Sequence, residues 1–429
     1  MYRHHQARAF ALAGLLLLGG TEAYPEARSL RTSTPDTLRL TSAIELARTA
    51  NPMLRGARLR ADAATERVAQ RGAWPDPMLE FGLMNRPLSD FGTSEPMTMN
   101  QIQLTQMVPW PGKLGFNEER ALHLSAAAAL DAHESELMLV ARVKYVYYEV
   151  AYMDRALATM AATRQLLRDF FQVSQTMYAV GNGLQQDVLQ AQVAVARMTE
   201  DITVMEQQRV AMAARLNALL GREASAAVGA LELPATLTEL PLLDSLIASA
   251  VVSRPALHAA QERIDAADAG YRFARRELYP DFMVTVGYGQ RPQFDDMMTI
   301  MVGLSIPLWA GSRQLPMRRE MQAMKSMEEA EAVDLYNETV ARLTELRAEA
   351  ERARALAQLY ATAVVPQARA SVEAALSAYR VGRVDYMTLV NNEMTVNRYE
   401  IESVRLTTQY HQAAAEVEAL VGGTAGGRP

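Results

Sequence analysis

Apolar and polar positions alternate with a period of two in four short stretches of this chain, near residues 78–85, 99–108, 281–289 and 298–307. In the third stretch Phe282, Val284, Val286 and Tyr288 point one way and Met283, Thr285, Gly287 and Gly289 the other. In the fourth, Met298, Ile300, Val302, Leu304 and Ile306 oppose Thr299, Met301, Gly303 and Ser305; in the second, Ile102 and Leu104 oppose Gln101, Gln103 and Thr105. The alternation predicts strands with one apolar face and one polar or small face. Each stretch is about 9–10 residues, the length a tilted strand needs to cross a bilayer. A hairpin on a soluble sheet would alternate in the same way, so the pattern alone leaves both readings open.

Between these stretches the pattern is helical and unusually long. No proline occurs from 114 to 178, and the span 314–379 holds only Pro316 and Pro366, where breaks are expected. A return helix of 184–220 and an earlier helix of 42–72, interrupted at Asn51-Pro52, together match one long helix in length. Stacked end to end, the two would flank the long helix over its whole height. Met198, Met205 and Met212 are spaced by seven, as are Met153 and Met160, which marks a coiled-coil seam.

The whole order occurs twice. Tyr178-Ala-Val-Gly181 returns as Tyr379-Arg-Val-Gly382, 201 residues later, and Leu219-Leu-Gly221 as Leu420-Val-Gly422. Asn51-Pro52 answers Arg254-Pro255, and Trp74-Pro75-Asp76 answers Tyr279-Pro280-Asp281. The reading is a signal peptide over 1–23, an N-terminal extended segment over 24–41, a first repeat over 42–221, an equatorial linker over 222–243, a second repeat over 244–422 and a disordered tail over 423–429. The signal reading rests on Arg3, His4, His5 and Arg8 ahead of a 12-residue apolar core. That core is too short to span a bilayer, and no other apolar run of that kind follows.

Composition narrows the function classes. The net charge of −6 offers no basic stripe for nucleic acid, and the absence of cysteine removes disulfides, thiolate sites and an N-terminal lipid anchor. The few histidines show no zinc-type i, i+4 pair, and there is no nucleophile elbow or phosphate loop, so no catalytic, cofactor-binding or metal-ligating residue is expected. Tyr145, Tyr147, Tyr148 and Tyr152 read as an aromatic packing seam. If the four strands cross a membrane they cannot close a barrel alone, because a barrel needs at least about eight strands and lipid tolerates no open edge. Several chains must then share one barrel.

The tandem motif Tyr178-Ala-Val-Gly-Asn-Gly-Leu-Gln-Gln-Asp187, its echo from Tyr379, and the Asn-Pro and Pro-Asp marks resemble the TolC-type outer-membrane efflux family over nearly all of residues 38–422. The resemblance implies a mainly α fold with a small β part. Helical hairpins would form an α-barrel tunnel in the periplasm, and four strands per chain would join a homotrimeric 12-stranded barrel in outer-membrane lipid. It implies a passive exit duct that meets a periplasmic adaptor and an inner-membrane pump of the resistance-nodulation-division type. On that resemblance Gly181, Asn182, Gly183, Leu184, Gly382, Arg383 and Val384 form the edge that contacts the adaptor, with Leu184 and Val384 exposed. The family's entrance aspartates fall on Thr388 and Asn391 here, so Asp187 and Asp385 are the acidic candidates for a gate; the alternative is that both merely cap helices. Val108-Pro-Trp-Pro-Gly-Lys-Leu114 is similar to the heavy-metal branch, and the 24 methionines, as soft thioethers, suit copper or silver. A multidrug or type I secretion duct of the same family is the alternative, as is a soluble periplasmic coiled-coil scaffold.

Overall fold

The proline-free stretches become unbroken helices in the computed structural model, which describes residues 38–88 and 91–423. The first half runs α1 (Leu40–Ala50), α2 (Pro52–Gly72), β1 (Met78–Met84), β2 (Met99–Val108), α3 (Lys113–Ala179) and α4 (Gln185–Leu219). The second half repeats it as α5 (Leu243–Ser253), α6 (Pro255–Arg276), β3 (Asp281–Gln290), β4 (Met297–Ser305), α7 (Gln314–Leu359), a wide π turn (Tyr360–Val364), α8 (Val365–Arg380) and α9 (Tyr386–Leu420). The signal peptide, most of the N-terminal segment and residues 424–429 lie outside the described residues.

Asn51 parts α1 from α2 for a local reason. Pro52 lacks an N–H where the first turn has no acceptor for one. The Asn51 carboxamide oxygen then accepts from the N–H groups of Met53 at 2.9 Å and Leu54 at 3.2 Å. Its amide nitrogen donates to the carbonyl of Leu219 at 2.8 Å. The end of α4 is therefore bonded to the start of α2, and both pack along α3 in the stacking that the helix lengths predict.

All four hairpin ends close alike. Gly181, Gly221, Gly382 and Gly422 have positive φ, and the following N–H returns to a carbonyl five residues back: Asn182 to Met177, Arg222 to Asn217 and Arg383 to Ala378 at 2.9 Å, and Gly423 to Glu418 at 3.0 Å.

Separate apolar clusters hold the helices. One gathers Leu54, Val143, Val146, Tyr147 and Leu216, a second Leu343, Leu346, Tyr410 and Val417, and a third Leu167, Phe170, Met198, Tyr379, Tyr386 and Leu389 near the turns. The methionine seam is real: Met153 is buried with Tyr152 and Ala156 against Met205 and Met212. Tyr147, Tyr148 and Tyr152 are buried, as expected, while Tyr145 is exposed: the Tyr147 hydroxyl donates to the Leu38 carbonyl at 3.0 Å, and Arg405 lies over the Tyr152 ring at 4.2 Å. The segment between the repeats adds Val228 and Leu231 to the first cluster. Arg209 ties it down through the Val228 and Gly229 carbonyls, and Asp154 through the Leu231 N–H.

Some boundaries differ from the sequence reading. α1 already begins at Leu40, inside the segment expected to be extended, and Leu243 opens α5 rather than closing the linker. Pro316 does not break α7, because it falls in the first turn. At Pro366 the chain stays helical. The preceding π turn takes up one extra residue, and the proline enters α8 within its first two positions.

Candidate functional site

The four strands form one antiparallel sheet in the order β1-β2-β3-β4, leaving β1 and β4 as its edges. The register carries most apolar positions onto one another. Phe81 pairs with Ile102, Ile102 with Tyr288 and Tyr288 with Met298; Leu79 pairs with Leu104, Leu104 with Val286 and Val286 with Ile300. Val284 with Val302 and Phe282 with Leu304 extend the same face. That face is strongly exposed, with Met298 at 72% and Val302 at 70%. Asn100, Gln290 and Gln106 are polar positions within it: the Asn100 amide donates to Gln290 at 3.2 Å, and the Gln106 amide is consumed by the carbonyls of Pro75 and Met107, each at 2.8 Å.

The opposite face carries Glu80, Gln101, Gln103, Thr105, Thr285 and Thr299, with glycines at 82, 287, 289 and 303. A hydrogen-bonded ladder links Gln101 to Gln103 (3.2 Å), Gln103 to Thr105 (3.5 Å) and Thr105 to Thr285 (3.0 Å). Seven methionines share this face: Met78, Met84, Met99, Met107, Met283, Met297 and Met301, with Met84 directly opposite Met99 and Met107 opposite Met283. No helix among the described residues is long and apolar enough to cross a membrane.

The junction below the sheet explains the segment around Trp110. The Trp110 ring stacks on Tyr279 at 5.1 Å and on Phe282 at 5.6 Å, and the Trp110 backbone N–H donates to the Asp281 carboxylate at 2.8 Å. Lys113 is buried between Asp281 (2.8 Å) and Glu277 (3.1 Å). These residues bolt the start of α3 to the end of α6 and the start of β3.

At the far end of the helices lie two turns. Gly181, Asn182, Gly183 and Leu184 join α3 to α4; Gly382, Arg383 and Val384 join α8 to α9. Leu184 is exposed at 65%, as expected, but Val384 is not the exposed apolar residue of its turn. It packs partly into the cluster around Leu389, and Val381 and Val180 stand out instead. An apolar groove of about 370 Å³ runs between α4 and α9, lined by Leu189, Val193, Met387, Met394 and Asn391 among others.

The acidic residues separate in role. Asp385 caps α9, accepting the Thr388 N–H at 2.8 Å, and bonds to the Thr388 hydroxyl as well, which holds its carboxyl below the usual range. Asp187 caps nothing: it sits in the first turn of α4, whose cap residue, Leu184, has no side-chain acceptor. Burial raises the Asp187 carboxyl, and the charge of Asp385 adds to the rise against the Leu184 backbone bond. Asp187 thus feels the Asp385 charge across the turns. Thr388 and Asn391 lie exposed on α9.

Three residues near the turns escaped the sequence reading as site residues. Tyr379 and Tyr386 meet edge to face at 5.8 Å, and both hydroxyls are buried without a hydrogen-bond partner. Burial first, and then the Asp187 charge, raises the Tyr379 hydroxyl. Tyr379 was visible only as a mark of the repeat; its counterpart Tyr178 is half exposed. Glu393 lies further along α9 at 4% exposure, its carboxyl raised by burial and by Glu400 against Arg369. No spacing signal distinguishes it.

Comparison with known proteins gives this geometry a context. The profile of the family described as outer membrane efflux protein matches residues 43–222 and 246–423. The pyoverdine export outer membrane protein OpmQ of Pseudomonas putida is 23% identical over 413 residues, covering 89% of this chain and 85% of that protein. Among solved structures, the outer membrane protein VceC from Vibrio cholerae superposes with a TM-score of 0.76 at 18% identity, over 90% of this chain and 96% of that one. CusC superposes with a TM-score of 0.75 at 16% identity, over 90% and 92%.

Proposed function

This chain belongs to the outer membrane efflux protein family, and on that footing we propose that it is the exit duct of a tripartite efflux system, carrying a substrate passively from an inner-membrane pump and periplasmic adaptor to the outside. The observation that carries the reading is the sheet: apolar and exposed across one face, polar across the other, and open at both edges. Lipid does not tolerate free strand edges, so neighbouring copies close the ring. Two copies of a 4-stranded sheet would give a barrel whose interior is filled by its own side chains; three give 12 strands and an open lumen. The assembly is therefore a homotrimer. The glutamine, threonine and methionine face lines its lumen, and the α-helical hairpins continue the duct into the periplasm.

The glycine turns are the adaptor-facing ends. Exposed Val180, Leu184 and Val381 beside the groove between α4 and α9 supply the apolar contacts a helical partner needs. Asp187 and Asp385 narrow the entrance electrostatically. Because Thr388 stands where the first repeat has Asp187, that charge recurs three times around the ring rather than six. Gly181→Pro or Leu184→Asp should abolish efflux while trimers persist; normal efflux in both would remove the turns from the adaptor interface.

The substrate we propose is a soft metal cation such as copper or silver. Support comes from the seven methionines on the lumen face, since thioether sulfur suits these ions. The Trp110 segment lends no further weight, because its side chains are occupied at the junction. The second reading is a small organic solute, favoured by the relative named for pyoverdine export. Deleting the gene and measuring survival against copper, silver, zinc, cadmium and a drug panel separates the two. Sensitivity confined to drugs would sink the metal reading and leave the duct intact.

A further inference from the structure

The helices α3 and α6, from different repeats, meet along a ladder of ion pairs. Glu119 meets Arg272 at 2.9 Å, Glu134 meets Arg254 at 2.9 Å, and Asp131 meets Arg263 at 2.5 Å. On the other side of α6, Asp268 meets Lys325 at 2.8 Å. The ladder has one gap. His123 of α3 lies against Glu262 and Asp265 of α6, with one ligand-type atom from each within 4.8 Å of the others. The His123 Nδ1 is 2.7 Å from a Glu262 carboxylate oxygen. Asp265 takes only a hydrogen bond from the Gln261 amide at 3.2 Å, and among the described residues it has no ion-pair partner. Two carboxylates and an imidazole, all half-buried, face one another with no lysine or arginine bonded to either acid.

We propose that His123, Glu262 and Asp265 bind a divalent cation of the zinc class, which bridges the first repeat to the second. The donor set fits such an ion. Glu262 and Asp265 are three residues apart and share a helix face, and the imidazole favours zinc-like ions over magnesium or calcium. Ligands about 2.1 Å from a common ion lie at most about 4.2 Å apart. The cluster needs only a small closure, with the His123–Glu262 contact opening to admit the ion. The remaining coordination positions fall to water. The corresponding helix of the second repeat, α7, holds no histidine, so the site occurs once per chain rather than twice. No spacing along one helix marks the site, because it joins residues 139 apart.

The test uses the full-length protein in detergent, stripped of metal by a chelator, and reads zinc bound at equilibrium by dialysis and elemental analysis. Cobalt(II) serves as a visible-absorption probe of nitrogen and oxygen ligation. The expected result is saturable binding of about one ion per chain and a zinc-dependent rise in the thermal midpoint. His123→Gln and Asp265→Asn should each weaken binding at least about tenfold, and His133→Gln should leave it unchanged. Asp265→Asn keeps the His123–Glu262 pair, and circular dichroism in chelator checks its fold. Absence of saturable zinc binding in the parent, or binding that survives both substitutions, overturns the proposal. Neither outcome involves transport, so the exit-duct reading stands or falls separately.

Discussion

Gly221 and Gly422 occupy matching places at the ends of α4 and α9, and each lies against the backbone that ends a shorter helix. A side chain on Gly221 would begin 2.6 Å from the Ala50 carbonyl oxygen, and one on Gly422 closer still to that of Ser253. Gly181 has a similar positive φ but open space around it. Gly181→Ala should therefore cost only the left-handed strain, about 1–2 kcal/mol, whereas Gly221→Ala adds a backbone overlap to the same strain. Denaturant titration of the two variants checks the order, and equal losses would contradict the close packing. Glu393 gives a prediction in pH. Its folded carboxyl is raised, so the folded chain holds that proton more tightly than the unfolded chain does. Its contribution to stability is fully present below the unfolded value and is lost as pH rises through the raised one. Glu393→Gln should remove this slope and be more stable than the parent at neutral pH, but not in acid. Thermal midpoints measured across that range decide it. At this scale the sequence was informative about the glycines, because only a turn explains Gly181 and Gly382 at matched offsets. It was silent on Glu393, whose first-repeat counterpart is the exposed Gln192: the same offset gives opposite burial.

The elements were legible because their causes are local. Period-two alternation located β2 to the residue and the others to within one or two, and the missing prolines located α3. Asn51 and Asp385 act as helix caps, a role short side-chain acceptors suit. The π turn before Pro366 was not legible, since a proline announces a break but not how the helix absorbs it. The Val384 side chain was misread for a related reason: exposure at a turn depends on how the neighbouring helices pack. The two sheet faces can be tested against each other. Val302→Lys lies on the apolar face and Thr299→Lys on the opposite one. A lysine facing mid-bilayer costs about 2–4 kcal/mol. Val302→Lys should therefore lower the amount of heat-stable assembled protein in outer-membrane fractions, and Thr299→Lys should change it little. Equal assembly would mean that the apolar face does not meet lipid.

For the whole molecule, the absence of cysteine offers a clean test of closure. Phe81→Cys in edge strand β1, combined with single cysteines scanned along β4, should yield cross-linked species up to three chains in outer-membrane preparations. Products that stop at two chains, or a mature chain found in the soluble periplasm, would refute the shared barrel. The sequence by itself determined the duplication and the strand and helix content, because these follow from spacing and proline placement. Only the tertiary structure decided which residues of the two repeats meet. It set the strand register that brings seven methionines onto one face, the half-buried Asp187 within the field of Asp385, and His123 opposite Glu262 and Asp265. Those contacts join residues far apart in the chain, and no local pattern encodes them.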